Sequence, residues 1–198
     1  MNQWWQMWRG YFSPADCERI KNTGLSYSPQ EGTIGHGGGT SKVDNAFRRS
    51  TIRWIDRSAH DEDHAWLFHK IEHAFKSSNA NAFNFNLSWF KDIQFTEYAA
   101  NNTGKYDWHE DLTWTTSEPM QRKLSLVVQL TDPSVYAGGE LQLDPGMVGG
   151  ENMVPKAEQL KELGTLIVFP SFLRHRVTPV EEGIRHSLVS WYLGNPFC

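Results

Sequence analysis

Residues 122 to 130 read RKLSLVVQL. Successive side chains of a strand point to opposite faces, so Leu124, Leu126, Val128 and Leu130 fall on one side of an extended chain. The text around this run follows the same grammar. LSWFKDIQFTEY, GGELQL, GTLIVFPS, RVTPV and IRHSLVSWYL are short β-type runs separated by Gly, Pro, Asp and Asn turns. Upstream of Asn86 the pattern is different. Ser13-Pro14-Ala15-Asp16 opens a helix to about Thr23, with Ser13 as N-cap and Pro14 in the first turn. Trp66, Leu67, Ile71, Ala74 and Phe75 recur at helical spacing between Asp61 and about Ser77, and STIRWID (50–56) looks like a strand. Helices come first and strands follow, with no βαβ rhythm and no repeat. The expected fold is mainly β (α+β), an antiparallel jelly-roll core with N-terminal helices packed on the outside of one sheet. One domain over 1–198 is expected, with a helical, lid-bearing part to about residue 85 and a jelly-roll core over 86–198.

Composition narrows the function. Nine tryptophans and eleven phenylalanines supply large buried area and suit the walls of a ligand cleft. A net charge of −4 gives no electrostatic case for nucleic-acid binding. MNQWWQMWRG has no uninterrupted apolar stretch, so neither a signal peptide nor a membrane anchor is expected. Cys17 and Cys198 stand at opposite ends and make no metal spacing or disulfide framework. That favours a reducing, cytoplasmic setting.

The chemistry gathers at strand ends. KYDWHEDLTW (105–114) holds His109-x-Asp111, a pair too short to decide anything alone. His175 sits in FPSFLRHRVTP between Pro170 and Pro179, again at a strand end. Two histidines and one carboxylate form the facial triad of non-haem iron(II) oxygenases, which leaves positions open for other ligands. The same three could hold zinc for hydrolysis. Arg185 lies ten residues past His175, and by alternation Arg185, Ser187, Val189 and Trp191 share one strand face. An arginine beside a hydroxyl is a receptor for a carboxylate. A diacid could meet the metal with one end and Arg185 with the other.

In this order, His109-x-Asp111, His175 and Arg185-x-Ser187 resemble the iron(II)- and 2-oxoglutarate-dependent oxygenases of the prolyl-hydroxylase type. Tyr98, Tyr106, GGELQL and VFPSFLRHRVTPV add to the likeness, which spans about residues 45 to 197. The resemblance implies a double-stranded β-helix and an enzyme using Fe(II), 2-oxoglutarate and O2, with ascorbate helpful in vitro. It implies hydroxylation of a C–H bond with release of succinate and CO2, most naturally on a prolyl residue of a peptide or protein. Another residue, a small molecule, or a zinc or cupin-type metalloenzyme on the same triad are the alternatives. His109, Asp111 and His175 would be the metal ligands. Arg185 would bind the distal carboxylate of 2-oxoglutarate, with Ser187 and Tyr98 assisting. Gln129 stands where the hypoxia-type enzymes carry a tyrosine that contacts the co-substrate, and can still donate to a carboxylate. Tyr106 and Trp191 would line the substrate pocket, and Arg48, in the basic stretch Ala46-Phe47-Arg48-Arg49-Ser50, would meet the substrate at its rim. The protein is expected to be a monomer with no nucleic-acid or membrane partner.

Two other motifs read differently. His69-Lys70-Ile71-Glu72-His73 matches an inverted zinc-protease signature, but its histidines fall opposite the apolar stripe of their helix and are expected in solvent. The glycines at 35 and 37–39 lack the lysine ending of a phosphate loop. Residues 33 to 42 are expected instead to form a mobile lid over substrate.

Overall fold

The computed structural model describes residues 4–35, 42–57, 62–90, 92–112, 114, 119–144, 146 and 154–197. Most of the expected lid, residues 36–41, lies outside the described residues.

Two antiparallel sheets face one another. The larger sheet has the order β1 (Gln6–Trp8), β10 (Leu166–Pro170), β7 (Gln121–Gln129), β12 (Val180–Gly194), β5 (Ile93–Ala99), β4 (Thr51–Ile55) and β2 (Gln30–Glu31). The short β8 (Tyr136–Gly138) also pairs with β12. The smaller sheet has the order β3 (Arg48–Arg49), β6 (Lys105–His109), β11 (Arg174–Val177) and β9 (Leu141–Asp144). This is the jelly-roll core anticipated from the alternating runs.

Alternation sorts the side chains into two cores. From the larger sheet, Leu124, Leu126, Val128, Leu188, Phe95 and Tyr192 pack on one side against the helices. These helices are α1 (Pro14–Ser26), contributing Ile20, and α2 (Glu62–Ser78), contributing Leu67, Ile71 and Phe75. On the other side Val127, Ile167 and Phe169 meet Leu141, Leu143 and Val177 of the smaller sheet. Fully burying one such side chain contributes roughly 1.5–3 kcal/mol, so the helix-facing core is the main anchor of the sheet.

Local chemistry explains the helix limits. The Ser13 hydroxyl accepts from the Asp16 amide, and the Asp16 carboxylate accepts from the Ser13 amide, both at 3.1 Å. This reciprocal cap fixes the start of α1. The helix runs to Ser26, beyond the expected Thr23. At Gly24 a Cβ would collide with the Phe95 ring, so glycine lets helix and sheet approach. Helix α2 continues into a wide π-turn, Asn79–Phe83, which the periodicity did not foretell. There the Asn79 side chain accepts from the Phe85 amide and donates to its carbonyl. The third helix, α3 (Ala157–Lys161), is a single turn that buries Leu160. As expected, His69 and His73 are solvent-exposed on α2. Among the described residues, no helix is long and apolar enough to cross a membrane.

Candidate active site

Between the two sheets lies a cavity of ≈ 430 Å³. His109, Asp111 and His175 stand on its smaller-sheet side, and their potential ligand atoms all lie within 4.8 Å of one another. The register of β6 and β11 accounts for the histidines, because His109 and His175 are direct cross-strand partners. Their ring nitrogens are then set by backbone carbonyls two residues back. The Nδ1–H of His109 donates to the Asp107 carbonyl at 2.7 Å, and that of His175 donates to the Leu173 carbonyl at 2.9 Å. A carbonyl only accepts, so each Nδ1 keeps a proton and each Nε2 is left as a lone-pair donor. Asp111 faces both, with Oδ1 3.8 Å from Nε2 of His109 and Oδ2 3.5 Å from Nε2 of His175.

Electrostatics favour the ligand state. Burial, aided by adjacent His175, lowers the His109 pKa to about 3, which keeps the ring neutral. Burial opposes the charge on Asp111. The neighbouring His175, His109 and Arg122 and the Ser125 hydroxyl more than offset it, and the carboxyl stays well below its usual range. One anionic oxygen donor and two imidazole nitrogens make a set that could hold a divalent first-row metal.

The opposite wall is built by the inward face of β12. Arg185, Ser187, Val189 and Trp191 all line the cavity, as the alternation requires. Arg185 is 2% exposed, and its Nη1 is buried with no hydrogen-bond partner among the described residues. An uncompensated buried guanidinium N–H is costly, and a ligand carboxylate would satisfy it. The residues present therefore fit both a metal and a diacid. Glycine makes room here too. Gly139 has φ +58°, and a Cβ on it would stand 2.9 Å from Cγ2 of Val180 and 3.0 Å from Cδ of Arg185, which is why glycine occupies this position.

Other expected site residues fall into place with some changes of role. Tyr98 and Tyr106 line the cavity. Burial raises both phenols, Tyr106 to about 12, so both remain protonated donors. Tyr106 stacks on His109 with ring centroids 3.5 Å apart. Gln129, expected to touch the co-substrate, does not line the cavity. Its carbonyl accepts from Nε of Arg185 at 3.0 Å, and its amide donates to Tyr136 Oη and the Thr131 carbonyl. It stands behind Arg185, because both faces of the amide are already engaged. Arg48 lines the cavity as expected, but from a buried position rather than from the rim. It donates to the Ser50 hydroxyl and the Thr33 carbonyl while lying over the Tyr106 ring.

The sequence reading missed Arg122, Trp54 and Gln94, which also line the cavity. Trp54 and Trp191 lie 6.3 Å apart, and the Arg122 guanidinium sits 3.8 Å from the Trp191 ring centroid. Trp54 and Gln94 lay within runs already read as strands, where their phase could have found them. Arg122 could not be found that way. The β7–β12 register shifts between Tyr192 and Leu193, and this irregularity re-aims the side chains at the start of β7.

Comparison with known proteins agrees with this geometry. The family model described as the 2OG-Fe(II) oxygenase superfamily matches residues 93–193, just over half of the chain. A PKHD-type hydroxylase of Synechococcus sp. (strain CC9311) is 35% identical over 88 residues, covering 44% of this chain and 36% of that protein. One from Alteromonas mediterranea is 32% identical over 101 residues, covering 49% and 41%. The matches thus span about two fifths of the length of these relatives. A prolyl hydroxylase of Trichoplax adhaerens, in complex with a hypoxia inducible factor peptide fragment, has the same fold. It gives a TM-score of 0.71 at 18% identity over 98% of this chain and 84% of that one. A Pseudomonas putida prolyl-4-hydroxylase gives a TM-score of 0.67 at 20% identity over 99% and 94%. With its jelly-roll core and its paired histidines and carboxylate facing a buried arginine, the chain belongs to the 2OG-Fe(II) oxygenase superfamily.

Proposed function

We propose that this protein is an Fe(II)- and 2-oxoglutarate-dependent hydroxylase of a prolyl residue in a peptide or protein, releasing succinate and CO2. The observation that carries the reading is the placement of two complementary features in one cavity. His109, Asp111 and His175 offer a metal-binding face, and Arg185 offers an unpartnered buried donor on the opposite wall. A molecule with a chelating end and a carboxylate end answers both. Iron, when bound, supplies the oxidising step that couples 2-oxoglutarate decarboxylation to substrate hydroxylation.

The protein's own residues do the rest. The imidazole Nε2 atoms of His109 and His175 and the Asp111 carboxylate would hold the metal. Arg185, oriented by Gln129, takes the distal carboxylate, with the Ser187 hydroxyl and the Tyr98 phenol as neighbouring donors. Val189, Trp191 and Trp54 give dry walls that exclude water from the reacting atoms. The prolyl-hydroxylase structures that share the fold, one of them holding a peptide, support the choice of a polypeptide substrate. The test is succinate formation from 2-oxoglutarate with iron(II) and ascorbate, with and without proline-containing peptides. Succinate that rises with peptide and is lost in Asp111→Ala is expected. Its absence under every condition would refute the reading.

A further inference from the structure

Asp111 is held in a different way from the two histidines. It follows β6 in an irregular bend, so no strand register fixes it. Instead the amides of Asp111 and Leu112 both donate to the Ser171 carbonyl, at 2.8 and 3.0 Å. Ser171 lies in the turn between β10 and β11, and its own amide donates to the Lys123 carbonyl at 3.0 Å. These bonds place the Asp111 backbone but leave its carboxylate free to rotate.

The carboxylate is engaged by Ser125 on β7, whose hydroxyl donates to Oδ2 of Asp111 at 2.7 Å. The Ser125 and Ser171 hydroxyl oxygens are 2.9 Å apart. A serine has one hydroxyl proton, and Ser125 gives its own to Asp111, so Ser171 is the donor in that second bond. Both serines are fully buried, and the run Ser171 to Ser125 to Asp111 is polarised in one direction.

A competitor stands on the other side. Nη1 of Arg122 lies 3.9 Å from Oδ1 of Asp111, brought there by the irregular start of β7. Guanidinium and carboxylate favour a two-point fork. Rotation of the carboxylate toward Arg122 would form it, and would turn the oxygens away from the imidazoles. We propose that Ser125, oriented by Ser171, is a positioning residue that holds the Asp111 carboxylate toward His109 and His175 and keeps Arg122 from capturing it. This rests on the reading that these three residues bind a metal.

Cobalt(II) binding, measured by calorimetry and by the visible spectrum of the bound ion, tests the inference without turnover. In wild-type protein, failure to bind cobalt(II) would sink the metal-site reading itself. Given wild-type binding, Ser125→Ala is expected to weaken it roughly 10- to 100-fold, the usual cost of losing a group that orients a ligand. Ser125→Thr, which keeps the hydroxyl, should restore it. Ser171→Ala, one step further from the carboxylate, should show a smaller loss of the same kind and covers the case of a misfolded Ser125→Ala. Arg122→Gln should improve binding more in the Ser125→Ala background than in wild type. Unchanged binding in Ser125→Ala and Ser171→Ala would overturn the positioning role. Strictly additive effects of Ser125→Ala and Arg122→Gln would overturn the competition.

Discussion

The two faces of strand β12 make an instructive pair. On the helix side, Leu188 and Tyr192 join Phe95, Leu126 and the apolar stripe of α2 in a dry core. On the cavity side, one residue out of phase, Arg185, Ser187, Val189 and Trp191 form a wall that is half polar and incompletely satisfied. Among the described residues Arg185 leaves Nη1 and Trp191 leaves Nε1 without a partner, whereas the polar groups on the helix side are met, His186 pairing with Glu97 and the Ser190 hydroxyl donating to the Asp92 carbonyl. A single strand thus carries the packed core on one face and the wall of the candidate site on the other. Extensive burial on the first face offsets the cost of the unmet hydrogen bonds on the second, the bonds that the proposed co-substrate would complete.

Substitutions on the two faces should therefore have separable consequences. The largest is expected at Leu188, which has no exposed surface. Leu188→Ala should cost about 2–5 kcal/mol of unfolding free energy, read by denaturant titration, while leaving the 2-oxoglutarate affinity of the folded protein nearly unchanged. A comparable loss of affinity would show that the faces are not independent. Gln129 sits between the two roles. Gln129→Ala removes the acceptor of the Arg185 Nε–H and leaves that donor buried, a cost of about 1–3 kcal/mol. Because the group affected is the one proposed to hold the co-substrate, 2-oxoglutarate affinity should fall along with thermal stability. An effect on stability alone would make Gln129 a packing residue.

Much of this was legible in the chain. Alternation in RKLSLVVQL and IRHSLVSWYL placed Leu124, Leu126 and Val128 in a core and Arg185, Ser187, Val189 and Trp191 on a shared inner face. The period of two is a property of extended backbone and survives without tertiary information. His109, Asp111 and His175 were recognisable as a set, and the structure gathers their ligand atoms. What stayed hidden depends on register and on distant partners. No local signal announces that β7 and β12 slip between Tyr192 and Leu193, so Arg122 was passed over. Arg48 in a basic stretch looks like a surface residue until the Thr33 carbonyl, Ser50 and the Tyr106 ring receive it. The three-residue edge strand β1 also escaped notice, because its pairing with β10 joins segments far apart in the chain.

The central claim is that one cavity reads a metal-chelating keto acid at one end and a second carboxylate at the other. Calorimetric titration of 2-oxoglutarate and of 2-oxopentanoate, which keeps the keto acid but lacks the distal carboxylate, tests it most directly. Both would be measured with and without manganese(II), in wild type and in Arg185→Ala. Metal-dependent binding of 2-oxoglutarate is expected, with 2-oxopentanoate weaker by about 1.5–3 kcal/mol and that preference lost in Arg185→Ala. Equal affinity for the two acids in wild type, or binding indifferent to the metal, would contradict the account.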